Sequence, residues 1–513
     1  MEQAERKGPE WRIGYEKTDA ELADGIEGRA LHLGSAAAMR RAVQVNNPLR
    51  SVEKDFTFSL WVKGDAALKG WGMRSYDILS AACRSQAAET GWRLGMQAGG
   101  AWCFTVSGDE KYIYEPTSMR QTIRDGRWHH LAFTFHAEEP EIRFYYDGVN
   151  VAIYSVPGLV KAEAGEGSQD EGNAAGASPA HSAWWMADSL WIGGERIDDS
   201  EQAVFPGWID ELWIDGRALT AEEIGSRFAA HREPRQELMA QAAGNAATLN
   251  VMTFNIWNGG RETGAEIGVQ RVIDVIRDSG ADIVAMQETY GSGPIIADAL
   301  GYYFYLRSSN LSILSRFPIE ETYPLYRPFH CGGARIKLGN GRHINVFSIW
   351  LHYLADYWSE LHRRTDLTAA QLLEGERERM EELAEIMKAL QPLAARSGEE
   401  PLLLCGDFNS GSHLDWTEAT KKLHNGYVFP FPQSKALQEA GYRDTYREIH
   451  PDPAADPCVT WPAWEQEYCV GDRIDFIYAH GPKATAEQAR RIHDHHVRYP
   501  SDHAAVVVGL RIG

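Results

Sequence analysis

The chain has 513 residues, a formal charge of −21, and 44% apolar against 24% charged residues. That composition fits a soluble globular protein, and the length exceeds the size at which one hydrophobic core usually keeps growing, so two domains are expected. The acidic balance disfavours nonspecific attraction to nucleic acid or an anionic membrane, without excluding a local basic or metal-lined pocket.

No run of about 18 apolar residues occurs, so no transmembrane segment is expected. The opening residues MEQAERKGPEWRIG lack the apolar stretch of a secretory leader. The expected location is therefore the cytoplasm, or outside the cell if a leader has been removed. Six cysteines are too few for a disulfide framework in a chain this long. Cys83 with Cys103 and Cys458 with Cys469 are possible pairs, and free buried thiols are the preferred reading.

In chain order, the first segment (1–232) is dominated by short alternating runs. FTFSLWVKG (56–64), WHHLAFTF (128–135), IRFYYDGVNVAIY (142–154), SLWIGG (189–194) and WIDELWIDG (208–216) predict half-buried antiparallel strands. Gly and Asp mark the turns between them, as in DGR (125–127) and DGVN (147–150). Many strands without matching helices imply a sandwich of two sheets. The small, polar, glycine-rich stretch 162–182 is expected to be a surface loop. The segment resembles the laminin-G-like, concanavalin-A-like jelly-roll domains through ALHLG (30–34), DGRWHHLAFTF (125–135), YYDGVNVA (145–152), LWIGG (190–194) and FPGWIDELWIDGRALTAEEI (205–224). The resemblance implies glycan binding, with Ca²⁺ possible, or a purely structural companion role.

Residues 233–247 read as a linker, and the segment 248–513 has another rhythm. LNVMTFNIW (249–257) predicts a strand, VQRVIDVIRDSG (269–280) an amphipathic helix, and DIVAMQE (282–288) a second strand. Hairpins are expected in SNLSILSRF and ARIKLGNGRHINVFSI, and a long helix over roughly 361–390. PLLLCGDFN (401–409), CVGDRIDFIYA (469–479) and HAAVVVGL (503–510) complete the strands. Interleaved strands, helices and hairpins point to a two-sheet α/β sandwich.

The chemical signal lies at strand ends. Asn255, Glu288, Asp407 with Asn409, Asp475, and Asp502 with His503 all fall there. Buried carboxylates cost several kcal/mol unless a cation or hydrogen-bond donors satisfy them. Oxygen-rich ligands such as Glu288 and Asp407 favour a hard divalent ion, Mg²⁺ or Mn²⁺. The reaction such a set suits is phosphoryl transfer to water.

Here the sequence resembles the endonuclease/exonuclease/phosphatase superfamily, a four-layer α/β sandwich. The motifs are TFNIW (253–257), VAMQETY (284–290), LSRFPI (314–319), LLCGDFNSGSHLDWT (403–417), GYRDTY (441–446), TWP (460–462), GDRIDFIYA (471–479) and YPSDHAAVVV (499–508), in the family's order. The resemblance implies that Glu288 is the main metal ligand, with Asn255 close by and Asp502 helping. Asp407 would activate the water, Asn409 would hold phosphate or leaving group, His503 would contact the phosphate, and Asp475 would orient His503.

The chain departs from its family in SIWLHY. Many members carry Asn-x-His-Leu there, whereas Ser348 takes the Asn position and Trp350 the His position. Residues i and i+2 of an extended strand share a face, roughly 6.6 Å apart. His352 is thus a candidate to replace the missing imidazole, with support of a neighbouring site residue or a surface role as alternatives, and Trp350 and Tyr353 are candidates for a cleft wall. His330, Arg335 and His413 are further candidate substrate contacts, Arg335 toward phosphate.

The expected protein is a metal-dependent hydrolase of phosphate esters, first of a small or glycan-linked phosphodiester. A metal-dependent nuclease, a sphingomyelinase-like phospholipid hydrolase and a non-catalytic glycan-binding protein are the alternatives.

Overall fold

The computed structural model describes residues 10–12, 21–33, 43–52, 54–67, 75–84, 89–160, 184–194, 205–232, 238–239, 248–339, 341–356, 358–364, 366–464 and 469–513. The chain divides into two compact units, Met1–Leu238 and Met239–Gly513. The expected loop 162–182 and most of the expected linker 233–247 lie outside the described residues.

The N-terminal unit is an all-antiparallel sandwich. One sheet runs Glu21–Asp24, Arg29–Leu33, Gly207–Asp215, Phe56–Gly64, His129–His136, Glu141–Tyr146, Val149–Ser155, with Glu10–Arg12 also on Gly207–Asp215. The other runs Val43–Asn46, Ser189–Ile192, Tyr76–Arg84, Glu89–Met96, Trp102–Ser107, Lys111–Tyr114. Alternation along the strands sends Phe58, Trp92, Phe104, Phe133 and Phe144 into one aromatic core, with Phe58 and Phe133 stacked at 5.5 Å. The DG of the predicted hairpin 142–154 is its turn, because Asp147 and Gly148 both take positive φ (48° and 79°), as a two-residue turn between right-twisted strands requires. Helix Ala221–Ala229 begins in a capping box between Thr220 and Glu223. It stacks Phe228 on Trp61 at 5.5 Å.

The C-terminal unit is an α/β sandwich of two six-stranded sheets. The first has the order Tyr303–Leu306, Ser312–Ser315, Ile283–Gln287, Thr248–Asn255, Ala505–Ile512, Ala484–Ile492. The second has the order Ile319–Tyr323, Cys331–Lys337, His343–Trp350, Leu402–Asp407, Asp475–His480, Arg443–Asp444. Helix Arg377–Ala395 covers the second sheet, burying Leu383, Ile386 and Leu390 against Phe347, Leu404 and Phe476. Truncating any of the three leucine-class side chains to Ala costs about 2–5 kcal/mol.

Three predictions change here. The long helix over 361–390 is three helices, Trp358–Arg363, Ala369–Gly375 and Arg377–Ala395. Thr368 starts the middle one by accepting from the Gln371 N–H, and a side chain that caps a helix start does not also continue one. The strand predicted over 469–479 begins only at Asp475. Arg473 before it is locked among carboxylates, its Nη atoms 3.0 and 2.7 Å from Asp444 and its Nε 2.8 Å from Asp415. Strand His343–Trp350 ends at Trp350, so the alternation of an extended strand does not reach His352.

Cys103, Cys331, Cys405, Cys458 and Cys469 are free thiols; the side chain of Cys83 lies outside the described residues. Among the described residues no helix is long and apolar enough to cross a membrane.

Candidate active site

Strand direction brings the polar strand ends to one edge of the C-terminal unit. Thr248–Asn255 runs parallel to Ile283–Gln287, with Asn255 opposite Gln287. His343–Trp350 runs parallel to Leu402–Asp407, with Trp350 opposite Asp407. Asp475 opens an antiparallel strand directly opposite Asp407, and Asp502 and His503 precede another. Strand exits and strand entries therefore meet at one place.

The backbone there is bent to suit. Glu288, Asn409, Trp257 and Asn258 all have positive φ, between 48° and 56°. Such a conformation costs on the order of 1–3 kcal/mol at a non-glycine residue and persists only where the surroundings enforce it. They do so at Glu288: its N–H donates to Asn310 Oδ1 (2.9 Å), its carbonyl accepts from the Gly259 N–H (2.7 Å), and its Oε2 accepts from the Asn258 N–H (2.8 Å).

Asn255 is the hub. Its Nδ2 lies 3.1 Å from both Glu288 Oε1 and Asp407 Oδ2 and 3.4 Å from His503 Nε2. Ser501 Oγ donates to the Asn255 carbonyl (2.7 Å) and accepts from the His503 N–H (3.1 Å). His503 Nδ1 is 3.0 Å from Asp475 Oδ2, while its Nε2 is 3.9 Å from Asp407 Oδ2. Asp407, Asp475 and His503 are all buried and bring their ligand atoms within 4.8 Å of one another. Burial pushes the Asp407 carboxyl up to about 7, opposed by the His503 cation and reinforced by Asp475. Burial alone would lower the His503 imidazole, but Asp475 and Asp407 hold it well above its ordinary range.

The donor set fits a hard divalent ion. Asp475 Oδ1 and Asp502 Oδ1 are buried carboxylate oxygens without a hydrogen-bond partner, the kind of deficit that a cation relieves. Asp502 Oδ2 accepts from Trp461 Nε1 at 3.3 Å. Burial raises the Asp502 carboxyl, with the Glu288 charge adding to the rise and His503 opposing it.

On the adjoining wall, Asn409 donates from its N–H to Asp407 Oδ1 (2.9 Å) and from Nδ2 to the Leu351 carbonyl (2.8 Å). Ser348, where the family Asn is absent, is buried and 3.0 Å from Gln287 Nε2. Trp350 meets Phe329 edge-on at 5.4 Å and Tyr353 at 5.9 Å; Tyr353 and Phe329 are both exposed.

Four predicted site residues have other partners. Arg335 is held by Glu400 (2.9 and 2.7 Å) and Glu320 (3.2 Å). His413 has both ring nitrogens occupied, by Ser434 Oγ at 2.8 Å and Gln438 Oε1 at 2.9 Å. His330 Nδ1 lies 3.0 Å from the Trp350 carbonyl. His352 Nε2 faces Glu378 Oε2 at 3.4 Å and is not brought into the Asp407–Asp475–His503 group.

Sequence reading missed the buried supports. Glu376 and Arg379 are both fully buried and paired at 3.0 Å. Glu376 Oε2 accepts from Ser410 Oγ (2.8 Å) and from Gln433 Nε2. Arg379 donates to the carbonyls of His352 (2.8 Å), Tyr353 (3.0 Å) and Ala355 (3.1 Å). The charge-dense run GERERMEE (375–382) reads as a solvated helix face, and nothing in its spacing reveals that Glu376, Arg379 and Glu382 turn inward.

Residues 252–503 match the model of the Endonuclease/Exonuclease/phosphatase family. Residues 39–169 match that of the Concanavalin A-like lectin/glucanases superfamily. An uncharacterised protein of Caenorhabditis elegans is 32% identical over 286 residues, covering 50% of this chain and 90% of the relative. Among solved structures, an endonuclease/exonuclease/phosphatase family protein of Bacteroides thetaiotaomicron is 18% identical, covering 51% of this chain and 94% of that one (TM-score 0.38). A D. rerio TDP2 complexed with single strand DNA product is 16% identical over 51% and 98% of the two chains (TM-score 0.36). A 3'-5' exonuclease of Neisseria meningitidis is 18% identical over 51% and 98% (TM-score 0.36).

Proposed function

We propose a divalent-metal-dependent phosphodiesterase, from the premise that the chain belongs to the endonuclease/exonuclease/phosphatase family, over residues 252–503, and carries a laminin-G-like, concanavalin-A-like domain before it. The observation that carries the reading is the buried Asp407–Asp475–His503 group, with Asn255 bridging Asp407 to Glu288.

Glu288, with Asn255 and Asp502 beside it, would hold Mg²⁺ or Mn²⁺, which when bound polarises a phosphate oxygen and steadies charge on the leaving oxygen. Asp407 takes the proton of the attacking water, a role suited by a carboxyl raised to about 7. Asn409, anchored to Asp407 and Leu351, keeps that carboxylate aimed. His503 donates from Nε2 to a phosphate oxygen. Asp475 accepts from Nδ1 and so keeps the ring protonated and fixed in orientation.

A small or glycan-linked diester is one substrate reading. It is supported by the net charge of −21 and by Arg335, Arg447 and Arg473 each being held by carboxylates rather than offered to a polyanion. A nucleic-acid strand is the second, favoured by the aromatic rim of Phe329, Trp350 and Tyr353, because bases stack on such rings. Sugar faces use the same surfaces.

The test is hydrolysis of bis-p-nitrophenyl phosphate, sugar phosphodiesters, phospholipids and single-stranded DNA by chelator-treated protein resupplied with Mg²⁺, Mn²⁺, Ca²⁺ or Zn²⁺. Diester hydrolysis that needs Mg²⁺ or Mn²⁺ and falls about 10²–10⁴-fold in Asp407→Asn is expected. Equal turnover by parent and variant would sink the mechanism.

A further inference from the structure

Among the described residues, one other group brings three ligand-bearing side chains together: His352, Glu378 and Glu382, whose ligand atoms all lie within 4.8 Å of one another. Glu378 and Glu382 are four apart on helix Arg377–Ala395 and so share one face of it. His352 lies two residues beyond the end of strand His343–Trp350, with its ring facing that helix.

The spacing leaves room for an ion between the ligand atoms. His352 Nε2 and Glu378 Oε2 are 3.4 Å apart, beyond the ~2.7–3.2 Å of a good N–H···O bond. Two ligands bound at ~2.0–2.1 Å to one tetrahedral ion stand about 3.3–3.4 Å apart. Glu382 is the buried member, and its Oε2 accepts from the His352 N–H at 2.8 Å, leaving Oε1 for another partner. His330 Nδ1 stands 3.4 Å from that Oε1 while lying 3.0 Å from the Trp350 carbonyl. Side-chain exposure rises from 5% at Glu382 through 26% at His352 to 59% at Glu378, so an ion has an entry path.

We propose that His352 Nε2, Glu378 and Glu382 hold a divalent transition-metal ion, best matched by Zn²⁺, in a site separate from the Asp407–His503 centre. One imidazole with two carboxylates suits Zn²⁺ and its first-row neighbours. Mg²⁺ is served by oxygen and water instead. The site lies one residue from the catalytic wall: the Leu351 N–H donates to the Asp407 carbonyl (3.0 Å), and its own carbonyl accepts from Asn409 (2.8 Å). An ion fastening His352 to the helix stiffens the segment that carries Leu351. The proposal does not rest on the phosphodiesterase reading.

The experiment is equilibrium dialysis of the chelator-stripped full-length protein against Zn²⁺, with bound metal counted by elemental analysis, and titration with Co²⁺ followed by visible absorption. The parent is expected to bind a Zn²⁺ equivalent that His352→Ala and Glu382→Gln lose and Glu288→Gln keeps, with a Co²⁺ ligand-field band that follows the same pattern. Glu378→Gln changes an exposed side chain, so it leaves folding intact and should weaken that equivalent about tenfold or more. Absence of the equivalent and of the Co²⁺ band in the parent would mean an ordinary ion pair and overturn the proposal. So would a His352→Ala protein that binds Zn²⁺ as the parent does.

Discussion

His129 in the N-terminal unit and His503 in the C-terminal unit are both buried imidazoles beside two aspartates, yet their ring nitrogens are occupied differently. His129 has Asp147 Oδ2 at 3.0 Å and the Tyr146 hydroxyl at 2.8 Å on Nδ1, and Asp125 Oδ1 at 2.9 Å on Nε2. Both nitrogens are satisfied, so the ring is a strut. His503 has Asp475 on Nδ1, while the groups nearest its Nε2 are the Asn255 amide nitrogen at 3.4 Å and Asp407 at 3.9 Å. Leaving a buried donor poorly satisfied costs on the order of 1–3 kcal/mol. On the mechanism proposed above, a substrate phosphate oxygen completes the set.

The largest expected effects break this comparison at the reactive ring. His503→Asn should lower kcat about 10²–10⁴-fold on the best diester substrate with little change in the melting transition. His129→Asn should leave kcat within about twofold while lowering stability. If both variants lose activity equally, the distinction between strut and donor fails. Asp475→Asn comes next: the ring stays in place but loses the charge that favours its protonated form. A kcat loss of about 10²-fold with KM nearly unchanged is expected, and a pure KM effect would remove Asp475 from the chemistry.

How much of this was legible in the sequence follows from the range of the contacts. Asp407, Asn409, Asp475, Asp502 and His503 stand at strand ends within motifs of fixed order, so local pattern and family resemblance both point to them. The strand ladder then brings Asp475 opposite Asp407. The direction of His352 was not legible, because period-2 reasoning holds only while the chain stays extended, and the strand stops at Trp350. Nor was the Glu376–Arg379 pair, since its burial depends on a loop 24–27 residues away in sequence. His129 was read only as part of a strand. Its partner Asp147 arrives through the next hairpin, and Asp125 from the turn before it.

A smaller effect sharpens the comparison through pH. Burial alone would lower the His129 pKa, but Asp125 and Asp147 raise it above its ordinary value. A raised imidazole contributes stability that is fully present below the unfolded value of about 6.5 and is lost as pH rises through the folded pKa. The destabilisation caused by His129→Asn, measured by denaturant unfolding, should therefore be greatest near pH 6 and shrink toward pH 9. A constant difference across that range would mean that the ring acts through packing alone.

The smallest effect concerns Tyr146, whose hydroxyl touches His129 Nδ1 at 2.8 Å and donates to the Thr122 carbonyl at 2.6 Å. Tyr146→Phe keeps the ring stacked on His129, at 5.2 Å in the parent, and removes those polar contacts. With Asp147 still bonded to Nδ1, His129 keeps a partner at both nitrogens, so the cost should be about 1 kcal/mol. Turnover should be unchanged. A loss several times larger would show that the hydroxyl, and not the aspartate pair, holds His129 in place, and the likeness between the two buried histidines would then be only one of composition.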